Sequence, residues 1–161
     1  MSDSKPRAAL GLLVFVARLF LGGVFVFAAW LKLSDPQAFA GSVRAFELIP
    51  AQADHLRHLI TFVVPWTELL TGLLLLVGFW TRAAATMLAI LLTVFIAGLA
   101  SVLARGMIIS CSCFGNFEIP CVSPVSSCHV IRNSVLLTVA LFILWKAPGS
   151  LAIDKTSRDP S

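Results

Sequence analysis

The sequence predicts an all-α membrane protein, a bundle of four transmembrane helices, on three observations. It is 58% hydrophobic and only 12% charged, where a soluble domain is about a quarter charged. The apolar residues gather into four runs, each near the length that crosses a hydrocarbon core of about 30 Å at 1.5 Å per residue. Trp30, Trp80 and Trp145 stand at the ends of these runs, where amphipathic rings favour the membrane–water interface. The 161 residues make one integral membrane domain, with no linker, solenoid repeat or low-complexity tract.

Span one covers about residues 8–31 and holds one charge, Arg18. A cleaved signal peptide is the alternative, since Lys5 and Arg7 precede the run, but a signal core is usually only about 7–15 residues. In the mixed segment that follows, Phe39, Val43 and Phe46 recur at steps of four and three. That spacing predicts a short amphipathic helix lying on the membrane surface, which Pro50 should end. His55 and His58 read as a solvated pair at a helix start rather than as metal ligands.

Span two covers about residues 59–80, with Pro65 inside it and Glu68 one turn further on. Pro65 removes a backbone donor and should loosen the helix there. A tight connection at Trp80-Thr81-Arg82 leads to span three, about residues 83–104, which carries no charge. So short a link makes the two spans antiparallel neighbours. Span four covers about residues 130–146 and opens with Arg132 and Asn133.

Four spans put both tails and the Arg82 turn on one side of the membrane. That side holds Lys5, Arg7, Arg82, Lys146, Lys155 and Arg158, against Lys32, Arg44, Arg57, Arg105 and Arg132 on the other. The positive-inside rule therefore favours cytoplasmic tails by one residue. Thiol chemistry agrees, because this orientation exposes the cysteines to an oxidising periplasm. The net charge of +4 is scattered over segment ends, not clustered on a face, which excludes nucleic-acid binding.

Arg18 and Glu68 each lie roughly 14–15 Å deep in their spans at 1.5 Å per residue. They could pair, since an isolated charge at mid-span costs about 3 kcal/mol or more. The pair reads either as a clip fixing helix register or as part of a proton path or quinone site.

All four cysteines, Cys111, Cys113, Cys121 and Cys128, fall in the loop of residues 105–129 between spans three and four. Disulfide exchange needs an accessible thiolate and a second thiol close by to resolve the mixed disulfide. Cys111 and Cys113 meet the second need by sequence proximity; Cys121 and Cys128 read as a second redox pair or a structural bridge. Four cysteines allow three pairings, which the sequence leaves open. The C-x-C spacing is tighter than that of zinc sites and no paired histidines follow, so no metal is expected. Arg105 and Arg132 bracket the loop, where a guanidinium either favours a thiolate or anchors to lipid headgroups. No Ser/His/Asp set, phosphate loop or carboxylate pair supports hydrolase or nucleotide chemistry.

The run Cys111-Ser112-Cys113-Phe114-Gly115 resembles the CxCFG signature of the MauE branch of the DoxX-like membrane proteins. Three further stretches match: Arg18-Leu19-Phe20-Leu21-Gly22 through Lys32-Leu33; Glu68-Leu69-Leu70-Thr71-Gly72 with Leu76-Val77-Gly78 before Thr81-Arg82; and Arg132-Asn133. The similarity spans roughly residues 10–146. It implies a four-helix protein of the bacterial inner membrane, related in architecture to quinone-linked thiol oxidoreductases, with Cys111 and Cys113 as the catalytic pair. It also implies two partners, a thioredoxin-like periplasmic protein (MauD-like) and a disulfide-rich client, the small (beta) subunit of methylamine dehydrogenase. Beside that resemblance, a membrane quinone near Glu68 is read as the electron acceptor. The competing expectation is a non-enzymatic scaffold or transport and maturation factor whose cysteines form structural disulfides.

Overall fold

Five helices follow one another in the computed structural model, which describes residues 4–47, 53–107, 121 and 125–146. They are α1 (Ser4–Ser34), α2 (Pro36–Ala45), α3 (Asp54–Val77), α4 (Thr81–Ala104) and α5 (Ser127–Lys146). All but α2 are long and apolar enough to cross a membrane. At 24 residues each, α3 and α4 are about 36 Å long.

The helices overrun the apolar runs because a polar first turn can be helical without being buried in lipid. α3 begins at Asp54 rather than near residue 59. Asp54 places a carboxylate on the positive end of the helix and accepts a hydrogen bond from Arg57 at 3.1 Å. His55 and His58 are exposed on this turn. α5 likewise begins at Ser127 rather than near 130, and α1 continues through Lys32 to Ser34.

The amphipathic helix is present as α2. Asp35 caps it by accepting from the Ala38 N–H at 3.0 Å, with Pro36 in its first turn, where a missing N–H costs nothing. Phe39 and Phe46 face inward and Val43 is half-buried. The helix ends at Ala45, earlier than expected, and Glu47 takes a left-handed φ of 50°; Pro50 lies outside the described residues. α3 runs unbroken through Pro65. The turn into α4 lies at residues 78–80, a step before the expected Trp80-Thr81-Arg82, with Gly78 and Trp80 both left-handed at φ 80° and 48°.

The four spans close into a ring, α1 against α3 and α5, and α4 against the same two, with α2 laid over α3 and α1. Leu21, Phe25, Leu75, Leu88, Leu92, Leu136, Ala140 and Ile143 form the central core. The outer surface is also apolar: Leu12, Val16, Phe20, Phe62, Leu70, Val94 and Val135 are exposed from the bundle. Water would not tolerate so continuous an apolar exterior, and lipid requires one. The chain is a multi-pass membrane protein.

α1 and α3 come into close backbone contact at Gly22 and Gly72. A Cβ on Gly22 would lie 2.9 Å from the Gly72 carbonyl oxygen, and one on Gly72 would lie 3.0 Å from the Gly22 carbonyl oxygen. Gly23, next along the helix, has nothing within 4 Å. Gly22→Ala is therefore expected to destabilise the bundle by about 1–3 kcal/mol through overpacking. Gly23→Ala should be neutral or slightly stabilising through helix propensity. Thermal unfolding in detergent, followed by circular dichroism, checks both.

Candidate functional site

The glycine contact sets the register of the α1–α3 seam, and the charged side chains sort themselves around it. On an antiparallel pair, Arg18 lies one turn to one side of Gly22, and Glu68 one turn to the opposite side of Gly72. They are thus separated by two turns, about 11 Å along the axis. The pairing of Arg18 with Glu68 is not what forms. Glu68 pairs with Lys32, whose Nζ lies 2.6 Å from both carboxylate oxygens, both residues being buried. Lys32 stands in the last turn of α1, and its four-carbon stem lets the ammonium reach inward to meet the carboxylate.

Arg18 instead serves the other end of the seam. Its Nε and Nη2 donate to the Leu75 carbonyl at 3.2 Å each. That carbonyl belongs to the last turn of α3, where the final four carbonyls lack helical partners. Leu74 is served by the Gly78 and Phe79 N–H groups at 2.9 and 3.0 Å, and Leu75 by the guanidinium. Gly78 is required twice here, for its positive φ and because a Cβ would collide with the Arg18 guanidinium. A cation at the negative end of the α3 dipole adds to the contact.

The Lys32–Glu68 pair is roofed by α2. The Lys32 Nζ lies 5.3 Å from the centroid of the Phe39 ring, and Ser42 of the same helix is buried beside it in sequence register. α2 is in turn tied to the end of the bundle that carries the cysteine loop. Arg105, just past α4, donates to the Phe46 carbonyl at 2.7 Å. Phe46 packs with Leu99, Val102 and Val125, and its ring meets Phe95 at 6.1 Å. Arg105 thus has a definite structural partner. Arg132 is half-buried in α5. Cys111 and Cys113 lie outside the described residues, as does any contact of these arginines with them.

Cys121 and Cys128 form a disulfide, with their Cα atoms 5.7 Å apart. The bond leaves Cys111 and Cys113 as the two remaining cysteines of the chain. Cys121 is buried at 3% exposure, while Cys128, in the first turn of α5, is half-exposed. The start of α5 is held by its own polar groups. The His129 Nδ1 accepts from the Ser126 backbone N–H at 3.3 Å, and the His129 N–H donates to the Ser126 carbonyl at 3.0 Å. This is one half of a capping box, the side chain of the third helical residue reaching back to the N–H of the cap, with histidine in place of Glu or Gln. Asn133, also buried, donates to the His129 carbonyl at 2.7 Å.

Among the described residues no group of three or more His, Cys, Asp and Glu side chains could hold a metal. Sequence reasoning missed Lys32 as the partner of Glu68, because it stands just past the apolar run of span one and counts only among the basic residues outside the spans. The usable signal was that a lysine stem reaches about a turn into the bilayer from its own Cα.

The family model described as "Methylamine utilisation protein MauE" matches residues 10–146. The methylamine utilization protein MauE of Paracoccus denitrificans is 35% identical over 146 residues, covering 90% of this chain and 75% of that protein. No solved structure matches. The matched range takes in Arg18, Gly22, Lys32, Glu68, Gly72, Gly78 and all four cysteines.

Removing one partner from the buried pair leaves the other charge uncompensated. Lys32→Met is expected to cost about 3–5 kcal/mol, whereas Lys32→Met with Glu68→Leu should recover most of it, since an apolar pair needs no desolvation. Unfolding in a mixed-micelle denaturant series, run as a double-mutant cycle, reads the coupling directly; additive losses would show that the pair is not formed.

Proposed function

The chain belongs to the MauE family of methylamine utilisation proteins, and from that premise we propose that it is a membrane-embedded thiol–disulfide redox protein. It assists disulfide formation in a periplasmic client during methylamine utilisation, the small (beta) subunit of methylamine dehydrogenase being the client that the family suggests. The observation that carries this reading is the placement of the cysteines. A disulfide stands at the start of α5, and the other two cysteines lie in the same loop between α4 and α5.

In this reading the tails are cytoplasmic and the loop faces the periplasm of the inner membrane, where thiol oxidation persists. A thioredoxin-like periplasmic protein, MauD-like in character, exchanges disulfides with the loop. Cys111 and Cys113 exchange as neighbours, and the electrons leave through a membrane quinone. Glu68 is offered as the membrane-depth group beside that acceptor. Its support is that an ionisable pair inside a span carries a desolvation cost the fold does not need for register, which Gly22 and Gly72 already set.

The scaffold reading also has an observation in its favour. Val125, between the two bonded cysteines, is buried in the cluster with Phe46, Leu99 and Val102, so the bridge fastens the loop to the bundle.

Cys111→Ser and Cys113→Ser separate the two readings. Exchange predicts that client disulfides are lost while the membrane abundance of the variant stays at the wild-type level. A fall in abundance with client disulfides kept in proportion would favour the scaffold. Non-reducing gels of the client and immunoblots of the membrane fraction supply both readouts.

A further inference from the structure

The two sulfurs of the described disulfide are not equivalent, and their inequality assigns them different roles. Cys121 is buried at 3% exposure; Cys128 is half-exposed. An incoming thiolate can approach only along the S–S axis from the side of an accessible sulfur. Cys128 is the less buried residue of the two. It is also the second residue of α5 (Ser127–Lys146), at the positive end of the helix dipole, which favours an anion. The first turn is held in shape by the two His129–Ser126 hydrogen bonds and by Asn133 on the His129 carbonyl.

We propose that the Cys121–Cys128 disulfide is where electrons enter the protein, with Cys128 the sulfur attacked by a thiolate of a reduced extramembrane dithiol and Cys121 the leaving sulfur. The inference rests on the thiol-redox reading above and assigns it an entry point.

The exchange balances without any further reagent. The partner's first thiolate attacks Cys128 Sγ; the Cys121–Cys128 bond breaks, and Cys121 leaves as a thiolate that takes up a proton. A mixed disulfide now joins the partner to Cys128. The partner's second thiolate attacks its own sulfur in that bond, and Cys128 leaves as a thiolate, stabilised by the amino end of α5 until it too is protonated. The partner loses two electrons and two protons and gains a disulfide, while Cys121 and Cys128 become two thiols.

The dipole and the exposure act in the same direction. Thiolate stabilisation raises the reactive fraction near neutral pH, and burial of Cys121 suppresses its own attack.

The test uses the full chain in lipid nanodiscs with Cys111→Ser and Cys113→Ser, so that only the second pair remains. In that background Cys121→Ser leaves Cys128 alone, and Cys128→Ser leaves Cys121 alone; each is mixed with glutathione disulfide and the mixed disulfide followed by mass. Cys128 is expected to react at least about tenfold faster than Cys121. The intact pair is expected to be reduced by dithiothreitol with helix content unchanged. Equal or reversed rates would overturn the assignment, as would a bridge that resists dithiothreitol until the protein unfolds.

Should a variant fail to fold, the wild-type chain treated with limiting glutathione and digested gives the same answer. Glutathione on Cys128 supports the proposal, and glutathione on Cys121 refutes it. Cycling of Cys111 and Cys113 beside an inert Cys121–Cys128 bond would sink this assignment alone, and absence of exchange at both pairs would sink the thiol-redox reading with it.

Discussion

Within the hydrocarbon core no water is present to satisfy a polar group, so each one must find its partner inside the protein. The α1–α3 seam is where this constraint is most severe, because it carries Arg18, Lys32 and Glu68, all buried. The solution has three levels. Arg18 closes the carboxyl end of α3 through Leu75, Gly22 and Gly72 bring the backbones together, and Lys32 neutralises Glu68 beneath Phe39. The smaller groups follow the same rule: Thr61, Thr67, Thr71, Thr86, Thr93 and Thr138 each donate their hydroxyl to the carbonyl one turn earlier.

From that seam the order of the structure runs toward the cysteine end. Lys32 contacts Phe39 of α2, the Phe46 carbonyl at the end of α2 receives Arg105 from the end of α4, and Phe46 packs with Val125 just ahead of α5. α2 therefore lies between the buried ion pair and the disulfide, touching the surroundings of both. A surface helix with one apolar face was predicted from three residues at steps of four and three; its position as a roof gives that pattern a purpose. The polar capping at the start of α5 completes this end, since His129 and Asn133 are buried and satisfy backbone groups of the same turn.

Much of this was legible in the chain. Hydropathy located the spans, since the free energy of burying an apolar stretch in lipid is a sum over its own residues. It misplaced their ends, because helix continuation depends on backbone hydrogen bonds and caps rather than on lipid contact. Asp54–His58 and Ser127–His129 are polar turns that belong to helices for that reason. The Arg18–Glu68 pairing failed for a different reason. Depth counted along separate spans cannot give the register between them, and a displacement of two turns changed the partner of Glu68 from an arginine to a lysine.

By itself, then, the sequence determined that the protein spans a membrane four times, carries a helix along the surface and concentrates its cysteines in one loop. These are consequences of local composition, periodicity and spacing. The motif runs also determined the family. Tertiary structure decided which ionisable groups meet, because that depends on how closely two backbones approach at Gly22 and Gly72. It decided, among three pairings the sequence left equal, that Cys121 joins Cys128. It also buried Cys121 and left Cys128 only half-buried, because burial is set by the segments packed around each residue and not by its own position in the chain.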